Sequence, residues 1–251
     1  MPDLPPYLSV SQVTTYLGCP RKYRFRYVEK REPEKRSADL ALGSAVHSAI
    51  EWWANERMAG RSPEGDACLR IFRVDWHAQT ATNEYDFEEK TPEELKLLGE
   101  NLVRLFVERF RDEVPLGSEQ RFEVELRHPL TGVAIPPPLV GVIDLVLEGA
   151  LGEIKTAARK TGVETYALQL AAYSYAWRET MGVRPKVRVI ELIKTKTPKV
   201  EVEEITLTDR QEAWFVEVAI EAYFSMLAGA FHPNPGWMCE RCEYRRTCRS
   251  I

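Results

Sequence analysis

LVGVIDLVLEGALGEIKTA, residues 139–157, opens with the apolar run Leu139, Val140, Val142, Ile143, Leu145, Val146 and Leu147, which has the length and β-branched content of a buried strand. Asp144 interrupts that run. An ionised carboxylate buried without a partner costs several kcal/mol or more, so a strand this apolar carries one only where a cation or a dense set of donors meets it. Past a turn at Gly149 and Gly152, a second short strand brings Glu153 and Lys155 to one face, with Ile154 on the other. Two carboxylates and an ammonium converging from adjacent strands can hold a divalent metal through oxygen ligands and set a lysine beside it. The pattern predicts a sheet built around this hairpin.

Working outward, the chain's 251 residues suit one large or two small domains, and 44% hydrophobic with 29% charged is an ordinary globular balance. No apolar run approaches the roughly 18 residues of a membrane span, and MPDLPPYLSV lacks the regions of a signal peptide. A cytoplasmic protein with no membrane partner is the expectation. No GxxxxGK[ST] loop is present, which excludes a P-loop motor within this sequence. The formal charge of −4 excludes a broadly basic coat, but charge is uneven: Arg21–Arg36 holds eight basic and three acidic residues, and Arg184–Lys199 six and one.

Upstream, Ser9 and Gln12 predict a capping box for a helix through VSQVTTYLGCPRKYRFRYV, broken near Gly18 and Pro20 with Cys19 at the break. Arg21, Lys22 and Arg24, interleaved with Tyr23 and Phe25, form a segment able to pair phosphates and stack bases, although aromatic residues at this spacing also simply pack. After a loop at 31–37, a helix is predicted over 38–58, with Leu40, Leu42, Ala45, Val46, Ala49, Ile50 and Trp53 buried and Gly43 and His47 one turn apart. Two further helices, 63–81 and 91–113, flank an exposed acidic stretch, NEYDFEEKT, and Cys68 reads as a buried thiol. A half-buried strand follows from 119, and the turn-rich HPLTGVAIPPP leads into the opening stretch.

Downstream, a helix over 163–180 puts Gln169 and Tyr173 on one face. Residues 186–193 and 199–206 predict a hairpin, and Thr208 with Gln211 caps a long helix to Leu227. The tail, CERCEYRRTC, gathers Cys239, Cys242 and Cys248, which in a soluble protein argues for a metal rather than disulfides. A tetrahedral site needs a fourth ligand, for which Cys19, Cys68 and His232 are candidates, and zinc is the generic expectation.

The order His47, GVID with Asp144, EIK with Glu153 and Lys155, then QLAAY with Gln169 and Tyr173 resembles the RecB-type branch of the PD-(D/E)XK nucleases. CPRKYRF paired with the C-terminal C-x2-C-x5-C is similar to that branch's iron-sulfur subgroup, which includes the AddB nuclease domain and the CRISPR adaptation nucleases. Ile143 stands where the eponymous motif has proline. The resemblance implies an α/β fold: a single restriction-endonuclease-like domain over 1–251, a mixed sheet flanked by helices, with a helical insertion at about 60–115. It implies a 4Fe-4S cluster on Cys19, Cys239, Cys242 and Cys248, so that residue 19 and the segment 232–251 tie the termini together. It further implies hydrolysis of DNA by one or two Mg²⁺ or Mn²⁺ ions on His47, Asp144, Glu153 and the Ile154 carbonyl. Lys155 would orient the attacking water, Gln169 and Tyr173 would position the strand, and Arg21, Lys22 and Arg24 would hold the backbone. The implied substrate is single-stranded or end-containing DNA, in repair or CRISPR adaptation and with a helicase or adaptation partner. Two other classes fit the residues: a catalytically silent DNA-binding subunit, and a zinc-stapled interaction protein.

Overall fold

The computed structural model describes residues 2–82, 85–87 and 90–250. Leu8–Ser9 form β1, and Ser9 caps α1 (Val10–Gly18) by accepting the Gln12 backbone N–H at 3.3 Å. The capping box is only half made, because Gln12 is buried and its own amide finds no partner. The helix breaks at Cys19, where Pro20 opens α2 (Pro20–Tyr23), which runs into a π-helical turn over Arg24–Val28.

The expected loop at 31–37 contains β2 (Arg36–Ser37), which pairs in parallel with β3 (Tyr85–Asp86). The acidic stretch is therefore partly structured: Tyr85, Asp86 and Phe87 are half-buried, and Asn83, Glu84, Glu88 and Glu89 lie outside the described residues. Between them, α3 (Ala38–Met58) covers the range its periodicity predicts. Leu40, expected on its buried side, is 68% exposed, because the buried stripe runs through Ala38, Ala41, Leu42 and Ala45 and residue 40 falls outside it. The two expected helices are α4 (Gly65–Thr82) and α5 (Pro92–Arg109), the latter opened by a full capping box between Thr91 and Glu94.

The strands follow: β4 (Gly117–Arg127), β5 (Ala134–Leu147) and β6 (Ala150–Ala157), then α6 (Ala167–Met181), β7 (Lys186–Ile193), β8 (Lys199–Thr206), α7 (Asp209–Leu227) and the short α8 (Arg245–Arg249). β5 starts earlier than expected, inside the Pro-rich stretch, and Gly152 lies within β6 rather than in the turn. The sheet order is β1-β5-β6-β7-β8, with β4 along the other edge of β5. The sheet is mixed, since β6 and β7 run parallel while β4, β5 and β6 alternate direction. On one face Val13, Leu170 and Phe215 of α1, α6 and α7 pack with Val187 and Val189. On the other Trp53, Phe72 and Phe106 of α3, α4 and α5 pack with Ile190 and Leu192. This is the helix-flanked mixed sheet that the resemblance implies.

Two features of β5 create an opening in the sheet. Its free edge is shared by β1, which pairs at Leu139 and Val140, and β6, which pairs only from Leu145 to Leu147. Residues 141–144 therefore face no strand on that edge. The strand also changes sides there: Leu139 and Ile143 pack against α1, α6 and α7, while Leu145 and Leu147 pack against α3, α4 and α5. Asp144 sits at the crossover.

Candidate metal centre

The gap between β5 and β6 is closed by side chains. Asp144 Oδ2 accepts the backbone N–H of Ile154 at 2.7 Å, standing in for the missing ladder. On the same edge the Val142 carbonyl accepts the Tyr173 hydroxyl at 2.6 Å, and Gln169 Nε2 donates to that hydroxyl at 3.1 Å. Tyr173 is buried edge-on against Phe122, and Gly141 leaves room for that ring: a Cβ there would stand 2.4 Å from it. Burial above all, with the charges of Glu153 and Asp144, pushes the Tyr173 hydroxyl well above its ordinary range, so it stays a donor. Gln169 and Tyr173 brace the opened strand from behind and do not line the cleft.

From the opposite face α3 approaches β6 closely. A Cβ on Gly43 would stand 3.3 Å from Thr156 Oγ1, and one turn on, His47 Nε2 lies 3.1 Å from the Ile154 carbonyl. A carbonyl only accepts, so Nε2 carries the hydrogen and Nδ1 keeps its lone pair. Burial, first among the causes, lowers the His47 pKa and favours the neutral ring. That lone pair lies 3.9 Å from Asp144 Oδ1, two acceptors face to face with no hydrogen between them. A histidine whose far nitrogen is anchored to a carbonyl while its near one meets carboxylates has the arrangement of a metal ligand. Ile154, read from sequence as a ligand through its carbonyl, here orients the imidazole.

The third member was not legible in the sequence. Among the described residues, the group of potential ligand atoms within 4.8 Å of one another is His47, Glu119 and Asp144. Glu119 lies opposite Asp144 in the β4–β5 register, between the pairs Ser118–Leu145 and Gln120–Ile143, and has φ 47°. A side chain bearing a Cβ in that left-handed region costs about 1 kcal/mol or more, and such strain collects at functional sites. Partial burial, then the negative charges of Glu51 and Glu153, raise its pKa. Asp144 is raised well above its usual range, by burial first and by Glu153 second. Repulsion thus stands where a cation would relieve it.

Glu153, read from sequence as a ligand, is not one of those three and lies buried beside them without lining the cleft. It is 1% exposed; one carboxylate oxygen pairs with the Lys155 ammonium, and the other, Oε2, is buried with no hydrogen-bond partner. Burial opposes the charge on Lys155, but the carboxylates of Glu153 and Asp144 outweigh it and hold the pKa above the ordinary lysine value. Its Nζ lies 5.7 Å from the centre of the Tyr166 ring. Lys155, His47, Asp144 and Glu119 all line one cleft of about 610 Å³, with Lys194 at its rim, where it pairs with Asp39 at 2.6 Å. The oxygen-rich donors, the orphaned Oε2 and the unmatched Nδ1 fit a divalent cation.

The cysteines lie apart from that cleft. Cys19, Cys239, Cys242 and Cys248 line one cavity of about 350 Å³, whereas Cys68 is fully buried among α3, α4 and α5, where burial pushes its thiol up to about 11. His232 is exposed and contributes its carbonyl to the Arg21 N–H at 3.1 Å. Further bonds hold the tail to the N-terminal segment: Asn234 Nδ2 to the Gly18 carbonyl at 2.9 Å and Thr247 N to Glu34 Oε1 at 2.6 Å. Of the basic residues read as backbone contacts, Arg21 donates inward to the Phe231 carbonyl at 2.9 Å, Lys22 pairs with Glu243 at 2.8 Å, and Arg24 pairs with Glu29.

The PD-(D/E)XK nuclease superfamily matches residues 7–249. The chain belongs to that superfamily. Among solved structures it is similar to one described as a putative exonuclease from Eubacterium rectale, at 18% identity and a TM-score of 0.64, covering 98% of this chain and 89% of that one. That likeness is one of fold. No curated protein matches the sequence. Among the described residues, no helix is long and apolar enough to cross a membrane.

Proposed function

We propose that the chain is a divalent-metal-dependent deoxyribonuclease of the RecB-type branch, acting on single-stranded DNA or on the ends of duplexes. The observation that carries this reading is the convergence of His47, Glu119 and Asp144 within 4.8 Å in a cleft that also holds Lys155. His47, Glu119, Asp144 and Glu153 would hold Mg²⁺ or Mn²⁺. When bound, such an ion neutralises the scissile phosphate and makes the attacking water more acidic. The chain's own groups do the rest. Lys155, fixed by Glu153 and kept charged by its neighbours, orients the water and meets the charge that develops on phosphorus. The Ile154 N–H holds Asp144, the Ile154 carbonyl holds His47, and the Tyr173 and Gln169 pair keeps β5 open.

The four cysteines that line this cavity are the ligand set that the resemblance implies for a 4Fe-4S cluster. Bound there, the group would fasten the tail to Cys19 without touching the cleft. The sequence holds no phosphate-cradling loop, so opening a duplex calls for a partner, of the helicase or CRISPR adaptation kind that the resemblance implies. The substrate is tested by comparing initial rates on a labelled single strand, a blunt duplex and a flapped duplex of one sequence, at equal metal and salt. The single strand and the flap should be cut faster; a blunt duplex cut as fast as the single strand contradicts the preference for single strands.

A further inference from the structure

A cavity of about 760 Å³ lies beside the catalytic cleft and shares Asp39 and Leu40 with it. One wall is the segment between α2 and α3, and the other is Arg241, Glu243 and Tyr244 of the tail. Seven basic side chains line it against four acidic ones, in a chain whose formal charge is −4. Positive charge is thus concentrated in one concave surface that opens onto the site of hydrolysis.

Several of its basic residues reach solvent, while Lys22 and Arg36 are half-buried. Arg26, Lys30 and Lys35 are exposed. Arg26 lies over the Tyr27 ring at 5.3 Å, Lys35 pairs with Asp86 at 2.8 Å, and Arg36 pairs with Glu32 at 3.1 Å. Exposed pairs of this kind contribute little and exchange readily for phosphate. Lys30 has φ 50° just past the π-helical turn, a place where glycine commonly ends a helix. The lysine there carries a conformational cost that glycine would avoid, and it adds a charge to the groove.

We infer that this groove is the path by which a single strand of DNA reaches the cleft, its phosphates held by Arg26, Lys30, Lys35 and Arg36. The inference rests on the nuclease reading for the chemistry at the far end, but the groove stands on its own charge and shape. It moves backbone binding away from Arg21, whose guanidinium is held by the Phe231 carbonyl, and from Arg24, neither of which lines the groove. A narrow basic trough tracks one backbone, whereas a duplex calls for a broad basic face.

The test is fluorescence anisotropy of an end-labelled oligothymidine with EDTA present, so that binding is read without cleavage. Lys30→Gln/Lys35→Gln should bind at least tenfold more weakly at low salt than the wild type. Its log affinity should fall less steeply with log salt, by about 1.4, since each lost single-strand phosphate contact removes about 0.7 from the slope. Arg70→Gln/Arg111→Gln, exposed and outside the groove, removes equal charge and should bind as the wild type does. Arg26→Gln serves as a second groove variant, and melting temperatures verify that each protein is folded. Unchanged affinity in both groove variants, equal weakening in the control, or a wild type that does not bind overturns the groove. A wild type that binds through these residues but does not cleave with Mg²⁺ or Mn²⁺ supports the groove and refutes the nuclease reading.

Discussion

Asp144→Asn separates what the carboxylate does for metal from what it does for the fold. The amide oxygen can still accept the Ile154 N–H, so the bond that spans the opened strands survives. What disappears is a charge no more than 4.8 Å from that of Glu119 and close to Glu153. Two unit charges at that distance repel by roughly 3 kcal/mol at an effective dielectric of 20. Glu119 is exposed, so screening cuts this to about 1–2 kcal/mol. In EDTA near neutral pH the variant should therefore melt about 5 °C above the wild type, at some 2–4 °C per kcal/mol for a chain of this size. With Mg²⁺ or Mn²⁺ at a hundredfold excess over Kd, the wild type gains about 2.7 kcal/mol and the order reverses. The pH dependence has a definite sign. The folded pKa of Asp144 lies above its ordinary value of 3.8, so in the interval between them the native state binds the extra proton. Metal-free wild type should thus grow more stable as pH falls through that raised pKa, a gain that levels off near 3.8 and that Asp144→Asn lacks. Thermal melts of both proteins, with EDTA and with metal across pH, read all of this. A variant that melts below the wild type in EDTA and keeps the full metal shift would refute the reasoning.

Two further substitutions probe Glu119 and the cysteine cavity. Glu119→Gly relieves the left-handed backbone strain while removing a ligand, so in EDTA it should melt at or above the wild type by up to about 1 kcal/mol. Its metal affinity by calorimetry should fall at least tenfold, and unchanged affinity removes Glu119 from the metal set. Cys19→Ser should lose iron and visible colour after anaerobic purification. A tie from residue 19 to residue 239 closes a loop long enough to contribute about 5 kcal/mol on the chain-entropy account. The variant should accordingly be insoluble or melt far lower; wild-type iron content and melting temperature would exclude Cys19 as a ligand.

Much of the fold can be read locally. α3, β7, β8 and the capped α7 lie where periodicity and caps place them: α3 and α7 each bury a continuous stripe, β7 is an apolar strand buried on both faces, and β8 opens with alternating valine and glutamate. Asp144, Glu153 and Lys155 stand out because charge inside an apolar strand needs a partner. Glu119 does not stand out, since in sequence it is one more glutamate on a strand with Glu123 and Glu125 pointing to water. Only the β4–β5 register and the kink at residue 119 bring it to Asp144, and neither is encoded within a few residues of it. The role of the Ile154 carbonyl depends likewise on how closely α3 approaches β6 at Gly43. The two-residue strands β2 and β3 are too short to show a period, and the basic groove joins segments more than two hundred residues apart.

The reaction proposed for the cleft lined by His47, Glu119, Asp144 and Lys155 is phosphodiester hydrolysis. Its most direct test is cleavage of a labelled single strand by anaerobically purified wild type, Asp144→Ala and Lys155→Ala, each with Mg²⁺, Mn²⁺ or EDTA. The wild type should cut with metal and not in EDTA, and both variants should lose at least a hundredfold while remaining folded. Undiminished cleavage by Asp144→Ala, or cleavage by the wild type that persists in EDTA, would contradict it.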